Sequence, residues 1–327
     1  MADAWRVGLV GAGWVATGHA EILGRRQDTD LVAVCDLDRA RAAAIAPPGA
    51  RVYQRWQELL DGEQLDAVWV CTPPLAHREP AVAALERGIH VYLEKPIART
   101  GEAAEAIVAA AERGTAVCAV GYQWHGTQVL DDLRRALEGQ EISLLVGRGI
   151  GPTASRPWFL DRSQGGGNVL ERGSHHIDLA RAIAGDVVSV QAAVSDVLLA
   201  QTDGDRGDIE DVATLLLRHE SGSLSTIAVG WTREGLPGIY SVDVVATEAT
   251  LRLTLDPDFT LDGVSRSEQV EARSAEHPWD STIGRFLEAA RAGDGSRVFC
   301  TPRDAARTLA VAAACERALK SGETVLV

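Results

Sequence analysis

Lys95 and Lys320 are the only lysines among the 32 basic residues of this 327-residue chain; arginine fills every other basic position. Lys95 lies in Glu94-Lys95-Pro96, directly after the apolar run 88–93. An ammonium is a compact charge with three movable donors and a pKa that burial can shift, whereas a guanidinium stays charged and forked. A lysine kept where arginine is the habit points to chemistry at Lys95, while Lys320, in Lys-Ser-Gly-Glu, reads as a solvated turn residue. A second constellation is Gly11-Ala12-Gly13-Trp14-Val15-Ala16, a glycine turn at the end of a short apolar stretch. The third is Glu171-Arg172-Gly173-Ser174-His175-His176, where the four-residue spacing from Glu171 to His175 sets carboxylate and imidazole on one side of a helical turn.

Alternating strands and helices must position these groups in the first half. Residues 5–10 predict a strand into the glycine turn, 17–24 a helix, and 31–35 a second strand closed by Asp36. Further strands fall at 67–71, 88–93 and 116–121, separated by helices over about 76–87 and 101–113. Near-continuous apolar strands between helices imply a doubly wound parallel sheet of α/β type, covered on both faces.

After about residue 122 the texture changes. A helix (128–138), a strand from Ile142, the loop Pro152 to Asn168 and a helix (174–184) precede strand-like runs at 187–194, 211–218, 223–231, 239–247 and 250–255. Their alternation suits a mainly antiparallel, open-faced sheet in an α+β domain. Two helices close the chain at about 281–292 and 302–320. The expected organisation is therefore 1–122 and 123–327, with the terminal helices free to pack back on the first domain.

In this context the glycine turn acquires meaning: it follows a strand, opens a helix, and has an acid at the end of the next strand. Gly11 permits the turn, Gly13 lets backbone approach a pyrophosphate, and Ala16 lets the helix pack closely. Amides at the helix start, around Ala12 to Val15, hold the phosphates. Asp36 would bond an adenosine ribose and repel a 2′-phosphate, favouring NAD; Arg39 and Arg41 just downstream could admit NADP.

Taken with the blocks Ala67-Val68-Trp69-Val70-Cys71-Thr72-Pro73-Pro74 through His77, Glu94-Lys95-Pro96 and Gly165-Gly166-Gly167 through Asp178, the chain resembles the glucose–fructose oxidoreductase/inositol dehydrogenase (Gfo/Idh/MocA) family. The resemblance implies a Rossmann domain, an open-sheet domain, and hydride transfer between a nicotinamide cofactor and a sugar, cyclitol or related compound. Within it Lys95 matches the family's Glu-Lys-Pro lysine and His175 the histidine of Asp-x-x-x-His. A neutral imidazole suits His175 to take the hydroxyl proton, and the Lys95 ammonium would stabilise the developing alkoxide. Glu171 departs from the family's usual aspartate and reaches one methylene further. Thr72, Pro73, His77 and Glu94 are expected at the cofactor, with His77 alternatively a solvent-facing residue at a helix start. Tyr122 could line the substrate pocket; Trp158 offers an apolar face to a sugar ring or a place in the core. His176 points away from His175, and Asp178 either complements the helix dipole or contacts ligand. A non-catalytic cofactor-binding regulator on the same fold is the competing reading, disfavoured by the joint presence of Lys95 and His175.

A net charge of −14 with 46% hydrophobic and 24% charged residues excludes a nucleic-acid binder, for want of a basic stripe. No apolar stretch approaches the roughly 20 residues that span a bilayer, and the first residues lack signal-peptide character. The five cysteines (Cys35, Cys71, Cys118, Cys300 and Cys315) read as buried hydrophobes of a reducing cytoplasm. No metal site is expected, since Glu171-x-x-x-His175-His176 has no further ligand at suitable spacing. A homodimer or homotetramer is the expectation.

Overall fold

The computed structural model describes residues 4–152, 157–197, 209–232 and 235–327. The chain divides into two units: one runs to Tyr122 and takes back Trp279–Ala306, the other comprises Gln123–Pro278 and Arg307–Val327.

The first unit is built on β1 (Trp5–Val10), α1 (Trp14–Arg25), β2 (Thr29–Cys35), α2 (Arg39–Ile45), β3 (Arg51–Tyr53), α3 (Trp56–Gly62), β4 (Ala67–Val70), α4 (Arg78–Glu86), β5 (His90–Leu93), α5 (Gly101–Arg113) and β6 (Cys118–Val120). All six strands are parallel, in the order β3-β2-β1-β4-β5-β6. The order reverses between β1 and β4, so the carboxyl ends of β1, β4 and β5 flank the crevice where such sheets bind ligands. Every residue of β4 is buried, as are Val91, Tyr92 and Leu93 of β5. Three short elements, α2, β3 and α3, go beyond the sequence expectation. β3 has only three residues and none is fully buried, so its pattern is too short to stand out.

The second unit contributes α6 (Gln128–Ala136), β7 (Ile142–Pro152), α7 (Pro157–Leu160), α8 (Arg162–Gly165), α9 (Ser174–Ala184), and β8 (Val187–Ser195), β9 (Val212–His219), β10 (Leu224–Thr232), β11 (Ile239–Ala246), β12 (Ala249–Asp256), β13 (Thr260–Ser265) and β14 (Glu268–Arg273). The predicted loop Pro152 to Asn168 lies partly outside the described residues and otherwise holds α7 and α8. α10 (Pro278–Ala292), α11 (Pro302–Ser321) and β15 (Val325–Leu326) follow. The nine strands run β14-β13-β12-β11-β7-β10-β9-β8-β15, antiparallel except for β7 beside β10. Leu251, Leu253 and Leu255 of β12 alternate inward to meet Val129, Leu130 and Leu133 of α6 and Leu179 of α9. The hairpin β13–β14 was not expected, because Asp262, Gly263, Gln269 and Glu271 dilute its apolar pattern and mainly Leu261 reaches the core.

α10 returns to the first unit, where Ile283, Phe286 and Leu287 join Leu9, Trp69 and Tyr92 in one core. Trp69 stacks on Tyr92 at 5.5 Å, with Phe286 edge-on at 5.3 Å. Gly18 of α1 has no Cβ where the Trp279 ring settles. The cysteines are all free, and four of the five are buried. Among the described residues no helix is long and apolar enough to cross a membrane.

Candidate active site

The chain leaves β1 through Gly11 at φ 96°. A Cβ there would stand 2.6 Å from the Cys71 carbonyl oxygen, so glycine alone lets the turn lie against the loop after β4. Around Gly13, by contrast, a Cβ would meet nothing within 4 Å, and the outer side of the turn is open. Gly13 at the N-cap brings no side chain to the first turn of α1, whose amides and positive end suit a phosphate. Trp14 is 65% exposed on that first turn, with Val15 half-buried beside it.

Asp36, after β2, accepts the Ala12 amide on Oδ2 at 2.7 Å and the Asp38 amide on Oδ1 at 2.8 Å. Arg39 donates to the Val52 carbonyl at 3.0 Å and Arg41 pairs with Asp38 at 3.5 Å, so both arginines already have acceptors. A glycine cradle, an uncapped helix start and an acid at the end of β2 fit a dinucleotide with an unmodified ribose.

Lys95 is half-buried at the corner after β5, and its neighbours' polar groups turn into the protein. Glu94 is 7% exposed, with Oε1 2.8 Å from His19 Nε2 of α1 and Oε2 accepting the Lys95 amide at 3.1 Å. Gly121 makes room for this carboxylate, because a Cβ there would lie 3.0 Å from Glu94 Oε1. His77 is fully buried: Nε2 stands 2.7 Å from the Thr72 carbonyl, and Nδ1 3.0 Å from that of Pro96 and 3.3 Å from that of Ile97. Burial draws its pKa below the ordinary value against the opposing pull of those carbonyls. His77 is thus no solvent-facing residue; it ties the Thr72-Pro73 loop to the Pro96 loop. Tyr122, just beyond β6, is 1% exposed.

In the second unit Gly166 and Gly167, at φ 82° and 80°, turn the chain into a π-helical turn, Val169–Gly173, that continues into α9. The Val169 amide donates to Glu210 Oε1 at 2.9 Å, and Glu210, 3% exposed, pairs with Arg162. A π turn widens the helix by one residue and is found often at functional sites. Here it carries Glu171, half-buried, with His175 four residues on and also half-buried. The His175 ring lies 4.8 Å from the Trp124 indole, tilted by 41°.

His176 takes the opposite side and is 1% exposed. A Cβ on Gly149 of β7 would approach its Cε1 to 2.7 Å, and one on Gly147 its Cδ2 to 3.1 Å. Burial pulls its pKa down to about 4, so His176 is a neutral packing residue. Asp178 is also buried: Oδ2 stands 3.3 Å from His125 Nε2, and Oδ1 accepts from Thr308 Oγ1 at 3.2 Å. Trp158 packs on Phe159, centroids 5.5 Å apart, beside the cluster of Phe159, Ile209 and Trp231.

Sequence reasoning passed over His19; it singles out His125 as a pocket-lining candidate and weighs Asp178, but does not bring the two together. A signal for His19 existed: it lies three residues after Ala16, on the face of α1 that must meet the sheet, where a buried imidazole needs a polar partner.

A Rossmann sheet with a dinucleotide turn and a lysine at the end of β5, in a chain that also carries a nine-stranded open sheet, defines a class of nicotinamide-dependent oxidoreductases. Residues 5–122 match the oxidoreductase family with an NAD-binding Rossmann fold, and residues 141–252 the GFO/IDH/MocA C-terminal domain. The D-apiose dehydrogenase of Paraburkholderia graminis is 30% identical, over 97% of this chain and 88% of the relative. The D-glucoside 3-dehydrogenase of Escherichia coli is 36% identical over 55% of this chain and 54% of its own. A levoglucosan dehydrogenase solved with NADH and levoglucosan superposes with a TM-score of 0.87 at 18% identity, over 99% of each chain, and thereby shares the fold. The chain belongs to the Gfo/Idh/MocA family. It is an NAD(P)-dependent dehydrogenase or reductase of CH–OH groups.

Proposed function

We propose that the protein transfers a hydride between NAD and a carbinol or keto carbon of a sugar, cyclitol or sugar derivative, with Lys95 and His175 carrying the chemistry. The bound nicotinamide supplies the hydride acceptor or donor. In the oxidative direction His175 takes the hydroxyl proton, a role suited to a half-exposed imidazole beside an indole. The Lys95 ammonium stabilises the negative oxygen that forms as the C–H bond breaks. Glu171, one turn before His175, orients the imidazole or accepts a substrate hydroxyl. The observation that carries the reading is the corner after β5: the chain's one non-terminal lysine stands at the carboxyl end of the strand next to β4, with its peptide held by buried partners. The relatives that act on apiose and on glucosides support the sugar class.

NAD is the preferred dinucleotide in this reading, because Asp36 lies at the ribose position and Arg39 and Arg41 are engaged elsewhere. The second unit's sheet also presents a half-covered face, with Leu144, Val146, Ile150 and Leu216 only partly buried, which supports self-association into a dimer or tetramer.

The test is turnover on a panel of polyols, aldoses and keto-sugars with NAD(H), followed optically, for wild type and Lys95→Ala. Expected is activity on at least one panel member that falls ~100–1,000-fold in the variant, as loss of an oxyanion-stabilising donor does, with NADH binding nearly unchanged. Turnover that survives Lys95→Ala overturns the mechanism.

A further inference from the structure

Glu94 precedes the catalytic candidate, yet its carboxylate faces inward. One oxygen lies 2.8 Å from His19 Nε2 and the other accepts the Lys95 amide at 3.1 Å. His19 is fully buried, held between Tyr92 at 5.2 Å and Trp279 at 5.2 Å, so its ring has one place to be. On the far side of Lys95 the Pro96 carbonyl lies 3.0 Å from Nδ1 of His77, whose own ring is fully buried. The Lys95 amide is therefore held by the Glu94 carboxylate, itself fixed by His19 of α1, while the carbonyl one residue beyond Lys95 lies against His77 at the start of α4. We propose that Glu94 is a positioning residue, locked by His19 of α1, which fixes the aim of the Lys95 ammonium while His77 holds the Pro96 peptide against it.

Three physical points favour positioning over cofactor contact. Both Glu94 oxygens already have protein partners, which a diol of the cofactor would have to displace. Gly121 is small where the carboxylate lies, since any Cβ there would come within 3.0 Å of it. The partner histidine stands on α1, whose first turn is the candidate phosphate site, so one buried pair joins the dinucleotide helix to the reactive corner. Misplacing a reactive group by about 1 Å costs on the order of 100-fold in rate, which is the scale on which such a pair can act.

The inference rests on Lys95 being catalytic, and its test separates the two ideas. Glu94→Gln keeps an oxygen for the Lys95 amide and an NH2 for His19, whose imidazole accepts once its tautomer switches. Glu94→Met keeps the length and offers neither. Expected is kcat within ~3-fold of wild type for Glu94→Gln and a fall of ~10–100-fold for Glu94→Met, with NADH affinity in both within ~3-fold. His19→Leu, measured alongside, should lose ~10-fold in kcat and keep KM, so the proposal stays open to refutation should Glu94→Met fail to fold. Glu94→Met turning over like wild type overturns the inference, and so does a Glu94→Met defect lying wholly in NADH affinity. If Lys95→Ala is itself active, the functional reading falls first; if Lys95→Ala is dead while Glu94→Met and His19→Leu are not, only the positioning role falls.

Discussion

Asp36 Oδ2 accepts the Ala12 amide at 2.7 Å, so the acid at the end of β2 braces the glycine turn. In the proposed function the same carboxylate also meets the ribose and sets the choice of dinucleotide. Asp36→Ser shortens the side chain and removes the charge. The KM for NAD should rise ~10–100-fold, the scale of a lost hydrogen bond to a charged group, and the kcat/KM ratio of NAD to NADP should fall. Equal ratios in variant and parent would sink this account of selectivity.

Stability should fall with acid, and His176 should carry a visible share. Burial lowers its pKa from 6.5 to about 4, and burial pulls His77, His90 and His219 the same way. A histidine with a depressed folded pKa binds fewer protons folded than unfolded between the two values. Its stabilisation is complete above 6.5 and is lost progressively as pH falls toward about 4. For His176 the loss is at most about 3 kcal/mol. Denaturant midpoints for wild type and His176→Gln at about pH 7.5 and about pH 5 measure it. The variant should show a shallower pH dependence, and an identical slope would remove His176 as the cause.

Much of this molecule could be read before it was seen, for reasons that differ by element. β4 and β5 announced themselves because strands covered on both faces leave no room for polar residues, and Lys95 stood out against a background of arginine. α9 came out at the residues predicted, Ser174–Ala184, and ends at Gly185, φ 88°. What stayed illegible depends on partners distant in sequence. Glu94 reads from the sequence as a cofactor contact, and nothing local says that His19, 75 residues earlier, will stand 2.8 Å from its oxygen. His77 reads either as a cofactor contact or as a solvent-facing residue at a helix start, and nothing local says that the Pro96 carbonyl will stand 3.0 Å from its Nδ1. The π turn under Glu171 leaves no mark in the pattern either, since it arises from two left-handed glycines and the buried Glu210.

The glycines of β7 are also a consequence of a remote partner. A Cβ on Gly149 would stand 2.7 Å from His176 Cε1 and 3.0 Å from Nδ1, whereas on Gly147 the nearest atom, His176 Cδ2, is at 3.1 Å. Gly149→Ala should therefore destabilise the protein by ~1–3 kcal/mol, the usual cost of overpacking, and Gly147→Ala by less. Urea midpoints of the two variants against wild type decide it. A Gly149→Ala protein as stable as its parent would mean that α9 shifts freely on β7.

Arg172, inside the π turn, is the last residue whose exchange is diagnostic. Its guanidinium lies 4.2 Å over the Trp231 ring and 5.6 Å from that of Tyr240. Nη1 donates to the Gly230 carbonyl at 3.0 Å and Nη2 to that of Pro152 at 3.1 Å. Burial lowers its pKa, with Tyr240 and Glu171 opposing, yet a guanidinium remains charged there. A lysine can neither stack as a plane nor reach both carbonyls from one head, so Arg172→Lys is not conservative. Expected is a stability loss of ~1–3 kcal/mol from the unpaired carbonyls, together with a fall in kcat, because Glu171 lies on that turn and His175 follows it on α9. Arg172→Met, which removes the charge and both hydrogen bonds, should lose at least as much of each. If Arg172→Lys melts like wild type and turns over at the same rate, the stacked guanidinium does not hold the turn, and the anchoring falls to Glu210 and the two glycines alone.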